Sequence, residues 1–109
     1  MINRQDVDEL FQKMRKAGWN MDNQKTWGYF FKDTSRNKLS HLSKHLTTLG
    51  YEVVDINQSY PDEMFWLHVE KIEIHNEKTL HELNQFFYQL AKDNHIQEYD
   101  GMDISPADI

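Results

Sequence analysis

The stretch TWGYFFKDTSRNKLSHLSKHLTTLGYEVVDI, Thr26 to Ile56, passes from a strand period to a helix period and back to a strand period. Thr26 to Phe31 is dense in aromatic residues, which favour a pleated, half-buried surface. Trp27, Tyr29 and Phe31 share one face of that strand, and Phe30 lies on the other beside Gly28; which face meets the helices is left open by this stretch alone. Asp33-Thr34-Ser35 offers cap residues for a helix whose apolar positions, Leu39, Leu42, Leu46 and Leu49, recur at helical spacing. Gly50 stops it in the expected place, and Tyr51 to Ile56 reads as the next strand.

Reading outward, Asn57 to Glu63, with Pro61 and Asp62, is a turn region. Met64 to Ile74 is a long strand in which Phe65, Leu67 and Val69 alternate with Trp66, His68 and Glu70. Ile72 and Ile74 fall on the second set, so a bulge near Glu70-Lys71, or an end twisting away from the core, is expected. Asn76 caps a helix with an apolar stripe through Leu80, Leu83, Phe87, Leu90 and Ala91. Ile96 to Tyr99 reads as a short last strand, Asp100-Gly101 as a turn, and Met102 to Ile109 as extended or fraying. Upstream, Asn3 caps a helix over about residues 4–17 that carries Val7, Leu10, Phe11, Met14 and Ala17, with Gly18 as its stop.

From Thr26 to Ile104 the order is therefore β-α-β-β-α-β. That order predicts an α+β fold: a ferredoxin-like sandwich with a four-stranded antiparallel sheet and two helices on one face, preceded by an extra N-terminal helix. The 109 residues are expected to form a single domain (1–109), ending in a short C-terminal extension over about 105–109.

Composition narrows the function classes. A chain of this length buries roughly 60–70% of its unfolded surface, enough for a core without metal or disulfide support. Six Phe, five Tyr and three Trp supply that core, and the absence of cysteine excludes a disulfide framework, thiolate metal sites and a Cys nucleophile. No window reaches the ~20 apolar residues of a membrane span, and the polar N-terminus lacks a signal-peptide pattern, so a cytoplasmic location is expected. The net charge of -6 argues against a phosphate-backbone partner and suits a basic protein partner met by electrostatic steering.

No residue set predicts catalysis, and neither cofactor nor metal is expected. His41 and His45 have the i, i+4 spacing of a metal pair but fall off the Leu39–Leu49 stripe, and no helical carboxylate joins them. The four glycines stand singly at stops and turns, so there is no nucleophile elbow and no phosphate-cradling loop. Asp62/Glu63 and Asp100/Asp103 read as solvated carboxylates. The aromatics of the central strands (Trp27, Tyr29, Phe31, Phe65, Trp66) are either core or a binding face. RNA-recognition domains stack bases on such strands, but the Lys/Arg-Gly-Phe/Tyr signature is missing here. The leading helix is expected to cover part of the otherwise open sheet with Leu10, Phe11 and Met14.

With these elements in place, the chain resembles the bacterial family of regulators of ribonuclease activity B, protein inhibitors of ribonuclease E. The resemblance spans Val7 to about Ser105. It rests on the aromatic strand Trp27-Gly28-Tyr29-Phe30-Phe31, the run Leu49-Gly50-Tyr51-Glu52-Val53, the Trp66 strand, the Leu80–Leu90 helix and the close Glu98-Tyr99-Asp100-Gly101. Met102 stands where the family usually has an aromatic, and the long acidic tail of the inhibitor is replaced here by Asp108 alone. The resemblance implies a non-catalytic, cytoplasmic, protein-binding regulator of RNA decay whose partner is ribonuclease E or a similar enzyme. Trp27, Tyr29 or Trp66, whichever face is open, rimmed by Glu98, Asp100 and Asp103, are the candidate protein-binding residues. An ACT-like small-molecule-binding regulatory domain is the alternative, an RNA-binding module a weaker one, and homo-oligomerisation stays open.

Overall fold

The computed structural model describes residues 1–107. Three helices, α1 (Arg4–Lys16), α2 (Arg36–Thr48) and α3 (Glu77–Asp93), and four strands, β1 (Lys25–Asp33), β2 (Glu52–Gln58), β3 (Phe65–Glu73) and β4 (Glu98–Pro106), follow in the order α1-β1-α2-β2-β3-α3-β4. The strands form one antiparallel sheet in the order β2-β3-β1-β4, the ferredoxin-like arrangement expected from the period changes. Each helix starts at a side-chain cap. Asn3 and Asp6 form a capping box on α1, Ser35 accepts from the Lys38 amide on α2, and Asn76 and Thr79 form a second box on α3.

The two faces of the sheet differ. On β1, Trp27, Tyr29 and Phe31 point into the core and are at most 1% exposed. Their partners across the sheet, Leu67 and Val69 on β3 and Tyr99 on β4, are buried with them. Phe87 of α3 stands at the centre of this core, its ring 4.8 Å from Tyr29, 5.5 Å from Phe31, 5.5 Å from Tyr51 and 5.3 Å from Tyr99, in the tilted and edge-on arrangements aromatic rings prefer. The Tyr99 hydroxyl donates to Asn84 Oδ1 at 2.6 Å, which supplies the partner a buried phenol needs.

Helix α1 does not lie on the opposite side of the sheet. It joins α2 and α3 in the same layer, where Phe11 stacks on Trp27 at 6.1 Å and Val7 is fully buried. Its start meets the C-terminal half of α3, with the Ile2 amide donating to the Tyr88 hydroxyl at 2.6 Å. Its end meets the first turn of α3, with Arg15 making two hydrogen bonds to Glu77 at 3.0 and 3.2 Å. The two helices are therefore antiparallel. The expectation that α1 would cover the open face fails because Trp27 faces the helices, and the apolar side of α1 follows it there. Among the described residues no helix covers the opposite sheet face.

Two strand readings also change. Ile72 and Ile74 do mark the uncovered face, but the β1–β3 register is unbroken, and the irregularity falls on β2 at Val53/Asp55 instead. Asp100-Gly101 is not a turn. It is the bulge of a longer β4, with Gly101 at φ +123, and the strand continues to Pro106. The expected extension at 105–109 is thus strand at its beginning, while Asp108 and Ile109 lie outside the described residues.

Candidate functional site

On the uncovered face the strand registers align side chains in rows. Asn57 of β2, Trp66 of β3, Lys32 of β1 and Glu98 of β4 form one row. Asp55, His68, Phe30 and the Asp100-Gly101 bulge form the next, and Glu52, Glu70, Gly28 and Asp103 a third. Among the described residues these strand rows carry six carboxylates (Glu52, Asp55, Glu70, Glu98, Asp100, Asp103) and one lysine, Lys32. Much of the chain's net charge of -6 is concentrated there.

The centre of the face is aromatic and its parts are held in place. Phe30 and His68 stack at 4.3 Å with their planes 17° apart. The Trp66 indole N–H donates to Ser59 Oγ at 2.9 Å, and that hydroxyl donates to Asp62 Oδ1 at 2.6 Å. Asp62 also accepts from the Met64 amide at 3.2 Å; the Ser59 hydroxyl, and after it the Met64 amide, lowers its pKa below the usual carboxylate range. The turn before β3 therefore orients the indole. Lys32 Nζ sits 5.1 Å from the Trp66 ring centroid and 3.1 Å from Glu98 Oε2, and the Glu98 hydrogen bond raises the lysine pKa.

Gly28 is what lets the next row lie flat. A Cβ there would fall 2.8 Å from His68 Nε2 and closer still to a carboxylate oxygen of Asp103, so both side chains reach over the glycine. His68 Nε2 is shielded from water with no hydrogen-bond partner among the described residues, and its nearest recorded anion is Glu70 Oε2 at 3.9 Å. Phe30, Asn57, Trp66, His68 and Asp100 enclose a shallow cleft of about 390 Å³. A larger groove, about 690 Å³, lies on the other side of β4 between α1 and α3. It is lined by apolar residues such as Ile2, Leu10 and Met102 together with Asp6, Lys92 and two residues of the edge strand β4, Glu98 and Asp100.

Of the six residues expected to bind a partner, four (Trp66, Glu98, Asp100 and Asp103) lie on this face. Trp27 and Tyr29 do not. They are 1% and 0% exposed, because strand alternation puts them with Phe31 under the helices, and a binding role for them as exposed aromatics is corrected. Burial accordingly raises the Tyr29 phenol pKa well above its ordinary range. Phe30 and His68 were not among the expected residues. The signal that finds Phe30 is parity: Trp27, Tyr29 and Phe31 in alternation belong to a core face, so Phe30, which shares its face with Gly28 and Lys32, belongs to the other, and register then sets His68 beside it.

His41 and His45 are exposed on the outer side of α2. Among the described residues no three His, Asp or Glu side chains gather as a metal site, and no helix is long and apolar enough to cross a membrane. Among curated proteins none matches the chain significantly. A family model does match, that of the regulator of ribonuclease activity B, over residues 4–104, which takes in every element up to the last residues of β4. The chain belongs to the regulator of ribonuclease activity B family.

Proposed function

We propose that this protein is a non-catalytic regulator that binds a ribonuclease of the ribonuclease E type in the bacterial cytoplasm, and that it does so through the uncovered sheet face. The observation that carries this reading is the contrast between the two sheet faces in a chain of a ribonuclease-regulator family. One face is sealed by three helices. The other is a bare surface with a fixed aromatic centre, Trp66, Phe30 and His68, and a rim that includes Glu98, Asp100 and Asp103. Centre and rim of this kind are what a protein–protein interface uses: aromatic anchors for energy and surrounding charges for steering and orientation. Carboxylates repel phosphate, so RNA itself is disfavoured on this face. Binding there would mask or remodel the enzyme's own interaction surface, and catalytic groups on the regulator are not required.

The test uses purified ribonuclease E with this protein in a calorimetric titration at low salt, alongside an RNA-cleavage assay. Saturable binding with slowed or redirected cleavage is expected. Absence of binding at micromolar concentration would sink the proposal.

A further inference from the structure

The row Trp66–Lys32–Glu98 holds a cation in a defined setting. Lys32 Nζ lies over the indole face at 5.1 Å and against the Glu98 carboxylate at 3.1 Å, while Trp66 is pinned through its N–H to Ser59. Both partners are open enough to exchange, the lysine side chain being 22% exposed and the glutamate 47%. We propose that Trp66 and Glu98 form a seat for an arginine side chain of an extended basic segment in the protein partner, and that Lys32 fills this seat in the free protein. The proposal deepens the reading of the open face given above and rests on it.

Three observations support an arginine-bearing occupant. A guanidinium is planar, stacks on an indole and binds a carboxylate through two parallel N–H groups, whereas an ammonium meets both as a point charge. Arginine therefore has an advantage over the resident Lys32, whose pairing with the 47%-exposed Glu98 is weakened by solvent screening. The cleft of about 390 Å³ beside Trp66, reaching to Asp100, gives room next to the seat. Asp100 and Asp103 continue the carboxylates along β4, so basic side chains flanking the seated one also meet anions. A second copy of the chain is a poor fit, since face-to-face pairing would set one row of carboxylates against another.

The test is a set of titrations with an arginine-rich decapeptide, a lysine-rich peptide of equal length and a single-stranded RNA oligomer. The wild type is compared with Lys32→Ala, Trp66→Leu, Glu98→Gln and the Lys32→Ala/Trp66→Leu pair, each checked for folding by circular dichroism. The arginine peptide should bind several-fold more tightly than the lysine peptide, and Lys32→Ala should tighten it several-fold further. That gain should vanish when Trp66 is leucine, and Glu98→Gln should weaken binding on its own. If removing Lys32 helps equally with and without Trp66, the effect is net charge and the seat is refuted. Equal affinity for the two peptides, preference for RNA, or dimerisation in place of peptide binding would also overturn it. If intact ribonuclease E binds but the Trp66-dependent effects are missing, the seat alone fails. If those effects appear with peptide but ribonuclease E is not bound, the assignment of the partner fails.

Discussion

Tyr99 and Asn84 show how finely the interior depends on single groups. The Tyr99 hydroxyl donates to Asn84 Oδ1, and Asn84 Nδ2 is buried without a hydrogen bond among the described residues. Tyr99→Phe removes one donor and leaves the whole amide unsatisfied. The expected loss is about 1–3 kcal/mol in urea unfolding, larger than for a surface phenol, whose removal is near neutral. His75 makes a pH-dependent contribution. It is buried between Trp27 and Thr79, with Tyr29 Oη at 3.5 Å and Glu73 at 3.6 Å. Burial lowers its pKa below the ordinary 6.5, against the opposing pull of Glu73 and with help from Lys71. The folded state then binds this proton less readily than the unfolded chain does. The stability from neutral His75 is complete above about pH 6.5 and is lost as pH falls through that value toward the lowered one. Melting temperatures from pH 7 to pH 5 should decline more in the wild type than in His75→Gln. Equal slopes would refute the assignment. Little of this is legible in the sequence, where Asn84, His75 and Tyr99 look like ordinary helix, loop and strand residues, because Tyr99 lies 15 positions from Asn84 and Tyr29 lies 46 positions from His75.

At the scale of elements, periodicity carried most of the fold. The leucine stripe of α2, the caps of α1 and α3 and the alternation in β1 are local patterns, and local patterns are what a sequence displays. The placement of α1 was not local. Its stripe says that it packs, but which side of the sheet it packs on depends on where Trp27 points. Trp27 points by strand parity toward the helix layer, and Phe11 follows. The bulge at Asp100-Gly101 was hidden for a related reason, since Asp-Gly is a turn signal and only pairing with β1 makes it a bulge. If α1 is an integral part of the core, Phe11→Ala should cost about 3–5 kcal/mol in denaturant unfolding. A near-zero cost would show that α1 is an appendage resting on a finished domain.

Over the whole molecule, charge and hydrophobicity are segregated. Aromatic side chains fill the space between sheet and helices, and six carboxylates surround Trp66, Phe30 and His68 on the bare side. Composition displays the excess of acid; it does not display its concentration, which arises only when three strands, β2, β3 and β4, bring Glu52, Asp55, Glu70, Glu98, Asp100 and Asp103 to one surface. An interface of this kind associates quickly at low ionic strength and weakens with salt, as screening shortens to ~8 Å near physiological ionic strength. The most direct measurement is the affinity for ribonuclease E, across a salt series, of the wild type and of two folded variants. One is Glu98→Gln/Asp100→Asn/Asp103→Asn on the open face. The other replaces exposed α2 residues on the helix side, Lys44→Gln/His45→Gln. The account predicts at least a ~10-fold loss and a flatter salt dependence for the first variant, equivalent to ~1.4 kcal/mol or more, and wild-type behaviour for the second. Undiminished binding by the open-face variant, with loss in the α2 variant, would contradict it.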